Sequence, residues 1–251
     1  MKTKLKYKIL FTLIFCCIIT YAQNYHVIYS QKINFDNLNF EHVNAKYYDL
    51  YANNKESLYI ENKELKDSIK LKKVDGEVNL TKPRNKTQNI YYFYNGKDFY
   101  INDYVNNEDN YLVRDIFQHN WKIENETKMI LNQKCQKATT TFRGRNYTAW
   151  FSTKIKYPFG PWKMNGLPGL VLEVNDNQNF FRIDAVKISK ENFDFESFTN
   201  KINLFQSITI EEFNIKGDQK SQEIVEDLKK KYPNFKLDKN CDTCNKSLEI
   251  F

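Results

Sequence analysis

Short apolar and aromatic segments alternate with polar positions along most of the chain, and Asn, Asp or Gly residues separate them. The segments of this kind are 25–29, 47–51, 91–94, 99–101 and 111–117. Their aromatic and β-branched residues suit a pleated surface, and a period of two places one side of each segment against a core. The pattern therefore predicts short antiparallel strands.

Hairpin turns are indicated at three places. Asn95-Gly96 lies between two aromatic runs and is the strongest local signal. The other two turns lie at 143–146, between segments 137–142 and 147–151, and at 175–178, between segments 170–174 and 180–186. Strands joined by such turns are expected to be neighbours in one sheet.

Late in the chain the apolar period changes from two to that of an amphipathic helix. Thr209 and Glu212 have the spacing of a capping box, so we expect a helix to begin there. A second helix is expected over 219–231, with Asp218 as its cap and an end before Tyr232-Pro233.

These patterns predict a mainly β fold of the α+β type. We expect a meandering antiparallel sheet curved into an open or half barrel, with C-terminal helices around 209–231 and a cysteine-containing tail at 232–251. About 229 residues follow position 22, which is enough for one sizeable core, and no Gly-, Ser- or Pro-rich linker divides them. A single domain over 23–251 is therefore expected.

The amino terminus has the pattern of a secretory signal peptide. Four lysines precede the apolar run 9–19, and Thr20 and Ala22 suit cleavage before Gln23. The run is short for a bilayer span, which disfavours a retained anchor, and bulky Phe15 disfavours lipid attachment at the next cysteines. We expect residues 1–22 to be removed, no transmembrane segment to remain, and the protein to be exported to the periplasm or cell envelope, or secreted.

Cleavage also changes the charge. Residues 1–22 carry four lysines and no acid, so 38 basic residues become 34 against 31 acidic ones, a net charge of +3. A nucleic-acid-binding domain would be more strongly and locally basic, so lysine runs such as 229–231 are expected to be solvated faces. We therefore expect no nucleic-acid partner.

Residues 158–169, called here the Pro-Gly segment, contain three of the five prolines and three of the seven glycines. Proline fixes φ and glycine opens the positive-φ region, so the segment is predicted to be an extended, kinked connector. Gly166, Pro168 and Gly169 are the expected structural turn residues, and residues 167–170 have the pattern of a type II turn.

The sequence Gly166-Leu-Pro-Gly-Leu-Val171 resembles the signature of the GLPGLI family of secreted proteins from diderm bacteria, with Val171 in place of the final isoleucine. Segments 135–138, 142–145, 149–150, 159–161 and 173–176 also resemble the family's pattern, so the similarity covers about 121–186. The resemblance implies an envelope protein, and an accessory role beside an outer-membrane protein would fit it. The family has no established activity to carry over, so no catalytic residues follow from it.

Two groups of side chains are candidates for ligand or partner binding. Arg143 and Arg145 flank a glycine at a hairpin tip, where their guanidinium groups suit a carboxylate, phosphate or sugar acid, unless the tip is simply an exposed polar turn. The second group consists of Trp150, Phe159, Trp162 and Met164. These residues would form an apolar groove or docking surface if exposed, and aromatic core if buried.

Catalytic motifs are absent from the sequence: it has no nucleophile elbow, no His-Glu-x-x-His, no phosphate-binding glycine loop and no dinucleotide fingerprint. We assign no catalytic residues and expect no cofactor or metal. Glu173 and Asp184 lie on neighbouring predicted strands, where solvated outer-face residues are favoured over a paired-carboxylate site. His119 is favoured as a strand-end hydrogen bonder over a base.

Three cysteines remain after cleavage: Cys135, Cys241 and Cys244. An oxidising compartment favours a structural disulfide over catalytic exchange, either between Cys241 and Cys244 or between Cys135 and one of them. The whole sequence favours a non-enzymatic binding or assembly module for an apolar ligand or for a segment of an outer-membrane or periplasmic protein. A hydrolase or thiol-redox protein and a structural envelope component are the alternatives.

Overall fold

A computed structural model describes residues 24–35, 38–65, 90–106, 109–232 and 249. The expected signal peptide at 1–22 lies outside the described residues. So do residues 233–248 of the tail, with Cys241 and Cys244, and residues 250 and 251.

In the described part of the chain, twelve strands form one sheet. The strands are β1 (Asn24–Ile33), β2 (Lys46–Ala52), β3 (Ser57–Asn62), β4 (Tyr91–Tyr94), β5 (Phe99–Val105), β6 (Asp109–Asp115), β7 (Lys122–Ile130), β8 (Gln133–Phe142), β9 (Arg145–Ser152), β10 (Val171–Asp176), β11 (Phe181–Glu191) and β12 (Ile208–Thr209). Their order across the sheet is β12-β6-β5-β4-β3-β2-β1-β11-β10-β9-β8-β7.

The sheet consists of two meanders joined in the middle. Strands β1 to β6 run outward in chain order, and β7 to β11 return from the opposite edge until β11 pairs antiparallel with β1. The sheet is open, with β7 and β12 at its edges, so the predicted mainly β fold is confirmed. The prediction omitted one detail: β12 pairs parallel with β6, which makes the sheet mixed.

The predicted hairpins are present, with longer strands than the sequence indicated. Tyr94 pairs with Phe99 across a four-residue loop in which the Asn95 side chain accepts hydrogen bonds from the amides of Lys97 and Asp98. Phe142 pairs with Arg145 across two residues. The pairing of β10 with β11 forms the third hairpin.

A single long helix, Ile210–Lys231, occupies the place of the two predicted helices. Its capping box is present, because Thr209 accepts from the Glu212 amide and the Glu212 carboxylate accepts from the Thr209 amide. The separate helix capped by Asp218 is wrong: Gly217 and Asp218 continue the helix, since a glycine in a helix weakens it without ending it. A short helix, Phe195–Thr199, also forms.

The two faces of the sheet pack against different parts of the chain. Successive strand residues point to opposite faces, and Tyr59 belongs to the largest core cluster whereas Leu58 belongs to a second cluster with Phe195 of the short helix. We call the Tyr59 side the main face and the Leu58 side the back face. The first turn of the long helix covers Ile101 and Val113 through Ile210, on the side opposite Tyr100 of the back-face cluster.

The Pro-Gly segment fills the main face. Phe159, Trp162 and Met164 are 2%, 3% and 0% exposed, so of the two alternatives the structure has the aromatic core and not the exposed docking surface. Trp162 packs against Phe142 and Phe181 with ring centroids 6.1 and 5.3 Å away. Such burial follows from the hydrophobic effect, because these large side chains lose most of their contact with water.

The glycines of the segment are needed for close approach more than for turn geometry. A Cβ on Gly169 would lie 2.0 Å from the Ser152 carbonyl oxygen, and one on Gly160 would lie 2.4 Å from the Met164 carbonyl oxygen. Gly169 does not have a positive φ, so the predicted type II turn is wrong. Among these glycines, Gly166 is the one with positive φ, at 89°.

Gly169→Ala is expected to destabilise the protein by about 2–3 kcal/mol, because the new Cβ would collide with the backbone of β9. Gly217→Ala is the matched control: nothing lies within 4 Å of its Cβ position, and alanine favours a helix by about 0.5–1 kcal/mol. Urea denaturation of both variants measures the difference. Equal stabilities would contradict the close approach.

Candidate functional site

Four charged side chains from distant parts of the chain meet on the main face. They are Asp115 at the end of β6, Arg143 in the β8–β9 turn, Lys163 in the Pro-Gly segment, and Glu249. Their side chains are 0%, 14%, 3% and 12% exposed, respectively. We call these four residues the charge cluster. The sequence pointed to Arg143 alone, because the other three lie in no recognisable binding motif.

Each cation of the cluster contacts both carboxylates. The Arg143 guanidinium donates to both oxygens of Asp115, over 2.9 and 2.5 Å, and to Glu249 Oε1 over 2.8 Å. Lys163 Nζ donates to Asp115 Oδ2 over 2.7 Å and to the two oxygens of Glu249 over 2.6 and 2.8 Å. The two positive and two negative charges balance.

Burial by itself would raise the pKa of Asp115, since a carboxylate is poorly solvated inside a protein. The hydrogen bonds and positive charges of Arg143 and Lys163 outweigh that effect, so the pKa lies below 3.8. Asp115 is therefore ionised at neutral pH and fixes the positions of both cations.

Three residues at or next to the two cations have left-handed backbone conformations. Arg143 has φ 42° and Gly144 has φ 72°, which are the positive values of a type I′ hairpin turn. Trp162, directly before Lys163, has φ 55° and a buried ring. Non-glycine residues rarely adopt this region, and they do so where surrounding contacts hold them.

Two side chains tie the Pro-Gly segment to the end of the β6–β7 connection. His119 Nε2 lies 2.9 Å from the Lys163 carbonyl oxygen, and Trp121 Nε1 donates to the Asn165 carbonyl over 2.8 Å. His119 Nδ1 is buried, and no described residue forms a hydrogen bond with it. Burial lowers the pKa of His119, and the charges of Arg143 and Lys163 lower it further. The hydrogen bond to the Lys163 carbonyl raises this pKa but does not outweigh these effects. His119 is thus a neutral hydrogen bonder.

A cavity of about 300 Å³ adjoins the charge cluster. It lies between the first turns of the long helix, strands β4 to β6 and the Pro-Gly segment. Its lining residues are Tyr92, Ile101, Asp103, Val113, Trp162, Lys163, Ile210, Phe213, Asn214 and Glu249. Aromatic and aliphatic side chains thus line much of this cavity, and Lys163 and Glu249 meet at one end of it.

Arg145 does not join Arg143 in a two-arginine clamp. Its guanidinium is buried and lies 3.3 Å from Asp176 Oδ2 and 2.8 Å from Gln178 Oε1. Asp176 in turn accepts from the amides of Phe180 and Phe181. Arg145 therefore stabilises the β10–β11 turn, and the idea that both arginines bind one ligand is wrong.

Other sequence candidates have local partners. Glu173 and Asp184 are neighbours across β10 and β11, but Glu173 pairs with Lys128 and Asp184 pairs with Arg182. They do not form a paired-carboxylate site. Trp150 is half-buried, and Lys128 Nζ lies 4.3 Å from its ring centroid.

Cys135 is a free thiol, fully buried in the main core. Burial raises its pKa to about 11, so the reactive thiolate is scarce at neutral pH. Within the part of the chain that the structure describes, Cys135 forms no disulfide. Cys241 and Cys244 lie outside that part, so their pairing stays a prediction.

No motif in the sequence pointed to a histidine in the middle of the sheet, His26 on β1, which lies between acidic side chains of β2 and β11. His26 Nε2 lies 2.8 Å from Asp49 Oδ1, and His26 Nδ1 lies 2.7 Å from Glu191 Oε1. Ser189 Oγ also lies 3.3 Å from Nδ1, but the closer Glu191 oxygen occupies that nitrogen, so a serine nucleophile is not set up. Burial would lower the pKa of His26, but hydrogen bonds to Asp49 and Glu191 outweigh it and raise the pKa above 6.5.

Two further observations hold for the described residues alone. They contain no group of three or more His, Cys, Asp or Glu side chains arranged to hold a metal ion. They also contain no helix that is both long and apolar enough to span a membrane.

Comparison with known proteins identifies relatives of this fold. A family model described as "N-glycanase peptide, N-terminal domain" matches residues 44–211, more than half of the chain. The structure of PNGF-II in space group C2 has a TM-score of 0.51 and 18% identity, covering 72% of this chain and 30% of that chain. Its P21 form has a TM-score of 0.50 and 17% identity, covering 77% and 32%. The comparison with curated proteins returned no match.

The similarity to PNGF-II covers part of each PNGF-II chain, at low sequence identity. The aligned region spans less than a third of each PNGF-II chain, and at this identity the likeness concerns the fold alone. Asp115, Arg143 and Lys163 lie within the part matched by the family model, whereas Glu249 and nearly all of the long helix lie beyond it.

Asp115→Asn is expected to lower the free energy of unfolding by about 3 kcal/mol at pH 7, because it leaves two buried cations with one carboxylate. Asp218→Asn, at an exposed position of the long helix, is the control and should stay within about 0.5 kcal/mol. The stability due to Asp115 is present above pH 3.8 and is lost as the pH falls through its lowered pKa. Urea denaturation from pH 7 downward measures both effects; a D115N variant as stable as D218N would contradict them.

The pKa values of the two buried histidines are expected to lie on opposite sides of 6.5. NMR spectra of the imidazole protons, assigned with His26→Gln and His119→Gln, should place the midpoint of His26 above 6.5 and that of His119 below it. His26 contributes stability that is fully present below pH 6.5 and is lost as the pH rises through its raised pKa. A smaller penalty for H26Q at pH 6 than at pH 9 would overturn this assignment.

Proposed function

The chain belongs to the N-glycanase N-terminal domain family, and we propose that it is an exported, non-enzymatic binding module that docks a segment of a partner protein. The docking place is the cavity of about 300 Å³ between the long helix, strands β4 to β6 and the Pro-Gly segment. Export is supported by the signal-peptide pattern of residues 1–22.

The main support for this proposal is that Glu249 occupies the charged end of the cavity. Glu249 lies 86 residues after Lys163 in sequence, yet its carboxylate is held there by two cations from the domain. A side chain from outside the family-matched region thus already lies in the place proposed for a partner's side chain.

An apolar-ligand carrier is the less well supported form of the binding hypothesis. The chain's own Phe159, Trp162 and Met164 fill the main face, where such a ligand would be held. Small-molecule sites usually measure about 300–1,000 Å³ and are mostly apolar, so this cavity is at the small end and has ionised groups at one end.

The family description supports the proposal that this protein acts together with glycan-releasing enzymes. It names the N-terminal domain of an N-glycanase, and the region similar to this chain is less than a third of PNGF-II. In the proposal, this domain supplies recognition, and the hydrolysis of glycans is left to other protein regions. The GLPGLI resemblance is kept as a parallel proposal, in which Gly166, Pro168 and Gly169 are structural residues of the signature.

Display of a random peptide library to the purified protein tests the docking function. We expect peptides to be enriched on the wild type and lost on Asn214→Trp, which places a large ring at the cavity wall. Gln222→Trp adds the same ring to an exposed position of the same helix and should retain the peptides.

Three results would overturn the proposal. They are no peptide enrichment, equal binding to wild type and N214W, and release of glycans from a glycopeptide by the purified protein alone. The last result would favour the enzyme alternative.

A further inference from the structure

We propose that Arg143 and Lys163 form a carboxylate-binding site for an acidic, apolar-flanked segment of a partner protein, and that Glu249 occupies this site in the present structure. The inference rests on the proposed docking function and adds the chemical class of the partner. It concerns the charged end of the cavity, where Lys163 and Glu249 are lining residues.

In the charge cluster, Arg143, Lys163 and Asp115 form the fixed part, and Glu249 is the carboxylate that can be exchanged. Without Glu249, the remaining side chains are Arg143, Lys163 and Asp115, which together carry one positive charge. A buried net charge is unfavourable, so the site calls for one anionic group. Asp115 holds both cations in place whether or not that group is present, which prepares the site for binding.

Exposure identifies which carboxylate can exchange. The Asp115 side chain is 0% exposed, whereas Glu249 is 12% exposed and Arg143 14%. Asp115 also lies at the end of β6, where it pairs with Phe99 of β5, and cannot leave without separating these strands. Glu249 is the more exposed of the two carboxylates and comes from outside the sheet, so another carboxylate can replace it there.

The contacts of Glu249 fit a side-chain carboxylate. Its Oε1 accepts from both Arg143 Nη1 and Lys163 Nζ, and its Oε2 accepts from Lys163. Charge-assisted hydrogen bonds of this kind are short and about twice as strong as neutral ones. The guanidinium fixes a planar direction of approach, and the ammonium supplies a point charge.

The rest of the cavity indicates the residues that flank the carboxylate. Its apolar walls consist of aromatic and aliphatic side chains, and two polar residues also line it: Tyr92, Ile101, Val113, Trp162, Ile210 and Phe213 on the one hand, Asp103 and Asn214 on the other. A segment with apolar side chains next to its acidic residue would bury them against these groups. The sequence around Glu249, Ser-Leu-Glu-Ile-Phe over 247–251, has that composition.

Binding of a synthetic peptide tests the site. The probe is capped Ser-Leu-Glu-Ile-Phe, and the matched control is capped Ser-Leu-Gln-Ile-Phe. Each is titrated into the full chain as wild type, as Glu249→Ala, which vacates the site, and as Glu226→Ala, an exposed glutamate of the long helix. The change in tryptophan fluorescence and isothermal titration calorimetry report binding.

We expect E249A to bind the glutamate peptide at least about tenfold more tightly than wild type or E226A, because the tethered Glu249 competes at a high effective concentration. The glutamine peptide should bind E249A at least about tenfold more weakly, since it lacks the charge. Urea denaturation of E249A checks that the domain is folded during the titration.

Distinct outcomes would overturn the inference. If folded E249A binds neither peptide, or binds both equally, Arg143 and Lys163 do not recognise a carboxylate, and Glu249 has a structural role alone. If inorganic phosphate displaces the peptide at equal concentration, the site binds small anions instead of a chain segment. If the peptides selected at the cavity carry no acidic residue, the docking function stands and the carboxylate site is wrong.

Discussion

The carboxylate of Asp115 is fully buried, and it can stay ionised there because Arg143 and Lys163 both contact it. This requirement connects three parts of the chain: the end of β6, the β8–β9 turn and the Pro-Gly segment. Lys163 reaches Asp115 when the segment lies against the main face. The segment can lie there because Gly160 and Gly169 have no side chain to collide with neighbouring carbonyl groups. A steric constraint on glycine and an electrostatic constraint on aspartate thus support each other.

The same arrangement explains why the site has unusual backbone conformations. Arg143 and Trp162 both have positive φ values, which non-glycine residues adopt at a cost of about 1–3 kcal/mol. Packing of Trp162 against Phe142, Tyr147 and Phe181 offsets that cost at one position, and the ion pairs of Arg143 offset it at the other. The result is a pair of cations held at fixed positions beside a cavity, which is a property suited to recognition.

The charge cluster combines residues from inside and outside the part of the chain that the N-glycanase family model matches. The fold, Asp115 and the two cations lie in the family-matched region, and the side chain that fills the anionic position comes from beyond it. In the proposed docking function, this site would receive an acidic side chain of a partner. Its specificity would then depend on the apolar walls that the long helix and strands β4 to β6 provide.

Signals that act over a few residues were sufficient to predict part of this structure from the sequence. The hairpins at Asn95 and Arg143 and the capping box of Thr209 and Glu212 depend on backbone preferences of neighbouring residues, so the sequence alone determined them. The charge cluster was not predictable in this way, because its pairs are separated by 28, 48, 86 and 106 residues. Likewise, Pro168-Gly169 matched a local turn pattern, but the reason for Gly169 is a contact with Ser152 on another strand. Tertiary structure alone decided which aromatics are buried and which charges meet, because burial and pairing depend on surfaces that exist only after the sheet has formed.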